Sequence, residues 1–347
     1  MAKDLFAKLS ENRRMCSRCV LCESLPDITL DAEGVCNICR QHETRRASPD
    51  RERPPLETDF VKILNMHKGK HRYDCMVMCS GGKDSTASLY YMVRRYKLKV
   101  LAFMFDHGFE TEEAISNVRN AVERLECDFI FFRSSEMKGM FKRMVAERTR
   151  AVICHPCSMW YMDLAFDMAT RHDVPIIIAG WTKGQSTRQE VMSKCACTVG
   201  APEYQAMGTA TRDFLGSLDD DPKYEDFPRS MEDVLKRARK KTKAMVLSPH
   251  WFLDTDPEEY IALISAELGW KAPVESYPSR TTNCSMNFIS AYLTMKHYGF
   301  THYHVESSKL IRMGLLSREQ ALKDLAMPFD MDYLNSIAAR VGVKLED

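Results

Sequence analysis

The residues of this chain that could do chemistry are of two kinds, one six-residue loop and thirteen cysteines. The loop is Ser80-Gly81-Gly82-Lys83-Asp84-Ser85, set between the apolar run Cys75 to Cys79 and a stretch, Thr86 to Tyr96, whose apolar residues recur at helical spacing. Two glycines let a backbone come close to an anion, successive N–H groups point into such a turn, and the helix that follows adds the positive end of its dipole. Ser80 and Ser85 offer hydroxyl donors, Lys83 a positive charge, and Asp84 a carboxylate that holds Mg²⁺ or braces the loop. A plain Gly-Gly turn with a serine helix cap is the bland alternative; the whole hexapeptide in this setting favours a phosphate site.

The cysteine count is odd, which favours thiols and metal ligands over disulfides. Cys16-x2-Cys19 and Cys36-x2-Cys39, separated by 16 residues, match the spacing of a four-cysteine zinc ribbon, with Cys22 as a ligand that could swap in and an iron–sulfur cluster as the other metal reading. A module this short buries too little apolar area to fold alone, so the metal, Zn²⁺ first, would supply folding free energy.

The elements that must carry these groups follow from periodicity. Cys16 to Cys39 is loop-rich, and Gln41 to Pro55 is polar and ends in two prolines, as a linker does. Strands are expected at 75–79, 100–105, 128–132 and 174–179, each joined to the next by a helical stretch, which implies an α/β parallel sheet covered on both faces. Asp106, at the end of the second strand, is either a nucleotide contact or a turn aspartate before His107-Gly108; Gly180, followed by Thr182 and Gly184, leaves the fourth strand where open sheets bind ligands. Residues 195–228 read as an irregular excursion, and helices are expected at 231–246, 257–268, 287–298, 317–325 and 331–341. The domain reading is 1–55 for the metal module and linker, 56–228 for the sheet domain and 229–347 for a helical C-terminal region.

Composition sets the outer bounds. The chain has 347 residues, 45% of them apolar and 28% charged, which fits an ordinary soluble globular protein of about two domains. Lys+Arg 49 against Asp+Glu 48 leaves a net charge of +1, so a polyanion site must be local, the basic run Lys236 to Lys243 being one place for it. No run approaches the roughly 18 apolar residues of a membrane span, so no membrane insertion is expected and the protein reads as cytoplasmic.

Ser-Gly-Gly-Lys-Asp-Ser after an apolar strand resembles the PP-loop, SGGxDS, of the ATP pyrophosphatase superfamily. That resemblance implies a HUP-type doubly wound domain that binds ATP and Mg²⁺ through Ser80, Gly81, Gly82, Asp84 and Ser85, with Lys83 and Asp84 acting on the leaving pyrophosphate as a substrate oxygen is adenylylated; Asp106 and Gly180 are the further nucleotide-binding candidates by their place at the strand ends. The absence of a GxxxxGK[ST] loop agrees with attack at the α-phosphate. The N-terminal segment CSRCVLCESLPDITLDAEGVCNICR and the stretch Leu310 to Leu322 resemble the N-acetyl sugar amidotransferase family. This implies nitrogen transfer to a nucleotide-linked sugar of surface-polysaccharide synthesis, with ammonia from a glutaminase partner in trans.

Cys154-His155-Pro156-Cys157 and the distant Cys284 are similar instead to PP-loop tRNA thiolation enzymes, where a CxxC and one further cysteine hold a [4Fe–4S] cluster with one iron left open for sulfide. Sulfur transfer to tRNA or a small molecule is thus the alternative function, and a non-catalytic nucleotide-binding subunit is the second alternative. Cys154 and Cys157 are also readable as persulfide carriers or as small buried residues, and Cys195 and Cys197 compete with Cys284 as third ligand.

Overall fold

The computed structural model describes residues 13–24, 27–46, 56–189, 192–195, 204–278, 280–281, 283–326 and 330–345. Helix α1 (Asn37–Arg46) closes the cysteine-rich N-terminal segment and α2 (Glu57–His67) leads into the sheet domain. Then come β1 (Cys75–Met78), α3 (Lys83–Tyr90, extended by a wide turn over Tyr91–Arg95), β2 (Val100–Asp106), α4 (Glu112–Leu125), β3 (Asp128–Arg133), α5 (Glu136–Ala146), α6 (Cys154–Arg171) and β4 (Ile176–Ile178). A hairpin of β5 (Ser186–Gln189) and β6 (Met192–Cys195) is followed by α7 (Gln205–Gly216), α8 (Met231–Lys241) and β7 (Met245–Leu247). The chain finishes with α9 (Pro257–Leu268), α10 (Met286–Tyr298), α11 (His302–Arg312), α12 (Arg318–Asp324) and α13 (Met331–Ala339).

The sheet runs β3-β2-β1-β4-β7, every pair parallel. Because neighbouring side chains on a strand point to opposite faces, each central strand feeds two cores. Met76, Leu101, Phe103 and Ile177 face one, with α5, α6 and α10; Val77, Ala102, Met104 and Ile178 face the other, with α2, α3, α4 and α9. Such all-apolar strands are what a sheet buried on both faces requires. The α/β expectation, doubly wound with a helical C-terminal region, is borne out. The chain works outward from β1 to β3, then returns to β4 and β7, so the order reverses at β1. The crevice of an open sheet lies beyond the carboxyl ends of the strands at that switch point, here β1 and β4.

Two boundaries differ from expectation. The helix expected over 231–246 ends at Lys241, Thr242 turns extended (φ −147°), and Met245–Leu247 pairs with Ile176–Ile178. Pairing along β4 buries Val246 and Leu247, which another helical turn in that lysine-rich stretch would not do; the sheet therefore continues past residue 228. Within the span read as irregular, α7 buries Met207, Thr211, Phe214 and Leu215 at helical spacing. Residues 196–203 of that span, Cys197 among them, lie outside the described residues, as do 47–55 of the expected linker. Helix α11 escaped sequence reading because its buried face is largely polar: His302, His304, Ser307 and Ser308 surround one Val305.

The cysteine segment is not a separate bead. Cys16, Cys19, Cys36 and Cys39 share a third core with Val152, Tyr204, Tyr298 and Phe300. The Arg318 guanidinium donates to the carbonyls of Cys19 (3.0 Å) and Cys16 (3.2 Å), and Val20 N–H donates to Ser308 Oγ (3.3 Å). The first CxxC is thereby tied to α11 and α12, nearly the whole chain away.

Burial lowers the imidazoles of His155 and His304 to about 3 and that of His302 to about 4. Each stays neutral when folded and gains a proton on unfolding, so their folded pKa values lie below the usual ~6.5. Their contribution is complete above that pH and is lost as pH falls from there toward 4, by up to about 1.4 kcal/mol per pH unit for each histidine. Urea unfolding at pH 7, 6 and 5 should show a steadily falling midpoint; a flat profile would mean these rings are solvated.

Candidate active site

The loop Ser80–Ser85 lies in the expected crevice, joining β1 to the start of α3, and contacts on every side hold it. Gly81 has φ +76°, and a Cβ there would sit 2.1 Å from the carbonyl oxygen of Ala114 in α4. Its own carbonyl accepts from Trp270 Nε1 (3.0 Å) and Asn117 Nδ2 (3.1 Å). Gly180 is as constrained, because a Cβ would come within 2.6 Å of the Ser85 backbone. It acts by letting β4 press against the loop. Ser85 Oγ accepts from Ser80 N–H (3.2 Å) and donates to Gly82 O (3.2 Å), closing the turn on itself. The first N–H groups of α3 have no intrahelical acceptor and stand at the mouth of a cavity of about 230 Å³, whose walls include Ser80, Gly82 and Asp84, with Ser158 and Tyr161 of α6 and Asn283. Ligand sites usually run from ~300 Å³ upward, so this space suits a phosphate chain with the rest of a nucleotide at its rim.

Asp84 is nearly buried, with Lys83 Nζ 2.8 and 2.9 Å from its two oxygens and the Tyr260 hydroxyl donating to Oδ1. Burial alone would raise its pKa, but Lys83, His250 and these hydrogen bonds outweigh it and hold the carboxyl below the usual range. The site thus keeps one fixed anion with its counter-ion attached. His250 Nε2 lies 3.0 Å from the Asp84 carbonyl, so that nitrogen carries the proton. Asn117, His250, Tyr260 and Trp270 were invisible to sequence reading: each is remote from the hexapeptide and sits in an ordinary amphipathic or loop context. Asp106 behaves as a turn residue, accepting from Gly108 N–H (2.6 Å) and pairing with Arg133 (3.4 Å). A second cavity of about 390 Å³, between α6, α7 and the start of α8, is larger but holds none of the loop residues.

The cysteines separate into two sites. The sulfurs of Cys16, Cys19, Cys36 and Cys39 all lie within 4.8 Å of one another, the only such group of metal-binding atoms among the described residues. Cys36 N–H points at Cys16 Sγ (3.2 Å), Arg18 N–H at the same sulfur (3.4 Å) and Cys39 N–H at Cys36 Sγ (3.4 Å). Hydrogen bonds donated to sulfur stabilise thiolates. Cys22 is buried close by but outside the set. This donor set fits one tetrahedral ion.

Cys154, Cys157 and Cys284 are drawn together by the fold without forming such a tight group. Cys154 and Cys157 lie one turn apart at the start of α6, and Cys284 is bridged in antiparallel fashion to Glu110. Burial pushes Cys154 up to about 12 and Cys284 up to about 11, and raises Cys157 as well; each also feels the Glu110 carboxylate, and Cys157 acts on both others. Their chain neighbours Ser158 and Asn283 line the loop cavity. Of the competing cysteines, Cys195 falls in β6 and nothing is described of its side chain. Beside Cys284, the His107 ring sits 3.1 Å from Glu110. Burial opposes charge on that ring, but Cys284 and Glu110 hold its pKa well above the usual value.

Replacing Gly180 by alanine should weaken ATP binding on the order of tenfold or more with unchanged far-UV circular dichroism, measured by calorimetric titration. Unchanged affinity would show that the loop tolerates displacement from β4.

A family model described as Thiamine biosynthesis protein (ThiI) matches residues 71–194, the span from just before β1 through β6 that carries both the loop and the Cys154–Cys157 pair. An uncharacterized protein of Methanocaldococcus jannaschii is 24% identical over 331 residues, covering 95% of this chain and 99% of its own. The U34-tRNA thiolase NcsA from Methanococcus maripaludis, solved with its [4Fe–4S] cluster, matches with 17% identity over 87% of this chain and 86% of its own, at a TM-score of 0.34. That likeness is too loose to map one site onto the other. No helix among the described residues is long and apolar enough to cross a membrane.

Proposed function

We propose that this chain is an ATP-dependent sulfurtransferase that adenylylates a substrate oxygen and then replaces it with sulfur. The observation that carries the proposal is adjacency: Ser158 and Asn283, the chain neighbours of Cys157 and Cys284, line the loop cavity. The ThiI match over residues 71–194 supports it, since thiamine itself contains sulfur. The N-acetyl sugar amidotransferase reading, with its glutaminase partner, keeps only its sequence resemblance.

In the first half-reaction a substrate oxygen attacks the α-phosphorus of ATP. A new P–O bond forms, the bond to the β-phosphate oxygen breaks, and pyrophosphate leaves. Ser80, Gly82, Ser85 and the N-terminus of α3 hold its oxygens by hydrogen bonds and dipole. Lys83 neutralises charge, while Asp84 offers the hard oxygen ligand that Mg²⁺ prefers; bound Mg²⁺ supplies further neutralisation. In the second half-reaction sulfur bonds to the activated carbon and AMP departs with the original oxygen. AMP is the better leaving group, which is why ATP is consumed.

The cysteine trio fits an iron–sulfur cluster. Three partly buried thiols lie by the Glu110 carboxylate, whose Oε1 meets His107 Nε2 (3.1 Å) while Oε2 is buried without a hydrogen-bond partner among the described residues. When bound there, a [4Fe–4S] cluster supplies an iron not ligated by cysteine on which sulfide is carried. Cys154, Cys157 and Cys284 would hold it, and Tyr161 and Met162, on the same helix α6, line the loop cavity. Zn²⁺ is assigned to the other site, Cys16, Cys19, Cys36 and Cys39.

Asp84→Asn should lower pyrophosphate release by on the order of 10²-fold or more. Cys157→Ala should leave ATP binding intact while abolishing sulfur incorporation from labelled sulfide, both assayed anaerobically. Pyrophosphate release that depends on ammonia, with the Cys157 variant fully active, would instead establish nitrogen transfer.

A further inference from the structure

We propose that Glu110 is the fourth protein ligand at the Cys154, Cys157 and Cys284 site, binding through Oε2 the iron that the cysteines leave free. This rests on the sulfur-transfer reading and adds to it a residue that no sequence motif marks.

The argument begins at the exit of β2. Gly108 adopts φ +86°, and its N–H bonds to Asp106 Oδ1, turning the chain back toward the sheet. Two backbone hydrogen bonds, Thr111 N–H to Asn283 O and Ser285 N–H to Phe109 O, both 2.8 Å, then clip this segment against Cys284. Glu110 and Cys284 are the directly opposed pair. Opposed residues of an antiparallel pair project to the same side, so the carboxylate and the thiol emerge side by side.

The two carboxylate oxygens are then distinguished. His107 Nε2 lies 3.1 Å from Glu110 Oε1, so that oxygen has its partner. The Glu110 side chain is 9% exposed, and its Oε2 is buried with no hydrogen-bond partner among the described residues. An unpaired buried carboxylate oxygen is costly unless a cation or donor meets it. Cys284 stands opposite Glu110 on the paired segment, and Cys154 and Cys157 at the start of α6 also feel its charge. Iron bound by those thiols would meet the one oxygen that His107 leaves unpartnered, and iron accepts carboxylate oxygen in other protein sites. A carboxylate is a harder and more readily displaced ligand than thiolate, so this one position stays exchangeable while three are fixed. His107 is the positioning residue that orients the carboxylate, as second-shell partners of metal ligands do.

The test uses the full chain with its cluster assembled anaerobically, in wild type, Glu110→Gln and Glu110→Asp. Iron and sulfide are counted, and the reduced cluster is titrated with cyanide, an external ligand for an unprotected iron, by electron paramagnetic resonance. The expected result is a cluster in all three, with Glu110→Gln binding cyanide on the order of tenfold more tightly, a changed resting spectrum in that variant, and Glu110→Asp close to wild type. Equal cyanide affinity and identical spectra in wild type and Glu110→Gln would overturn the inference and leave the sulfur reading standing. Wild type that takes up no cluster, while its four-thiol site fills with zinc, would overturn both.

Discussion

Two glycine contacts govern the active region. Ser80–Ser85 is gripped between β4 and α4 so closely that neither Gly81 nor Gly180 has room for a Cβ. Protein interiors are packed like crystals, so such contacts fix the loop relative to the sheet. The loop's N–H groups and the dipole of α3 are therefore held in one orientation by the fold itself. Because the loop crosses the switch point between β1 and β4, the same contacts also place it where an open sheet has its crevice.

The rest of the chain completes this arrangement from a distance. Tyr260 and His250 reach Asp84, Trp270 and Asn117 reach Gly81, and residues 283–285 bring Cys284 alongside Glu110. The C-terminal third is accordingly a wall of the site. Its helices also dock the N-terminal four-thiol module through Arg318 and Ser308. Helix α11 also carries Glu306, which burial raises to about 8 and which feels Asp84 and acts on Cys154. The four-thiol module and the loop thus share one packed framework.

Local pattern made four strands and most long helices legible. The helix read at 257–268 matches α9, with Asp256 capping its start and Gly269 in the left-handed region at its end. Reading faltered where local preference conflicts with packing. Met245–Leu247 follows a helical, lysine-rich stretch yet becomes an edge strand because β4 offers unpaired backbone and an apolar surface. Helix α11 buries histidines and serines, which carry no hydrophobic period.

The sequence by itself marked the glycine loop Ser80–Ser85 and the four-thiol module, because each is spelled out by residue types within one short segment of chain. Backbone conformation and ligand spacing are local properties. It also marked Cys154 and Cys157 as a pair. Only the tertiary structure put Cys284 across from Glu110, supplied Tyr260, His250 and Trp270 to the loop, and made Asp106 a turn residue. Those relations join segments far apart in the chain, and their distances follow from how the helices pack on the two faces of the sheet.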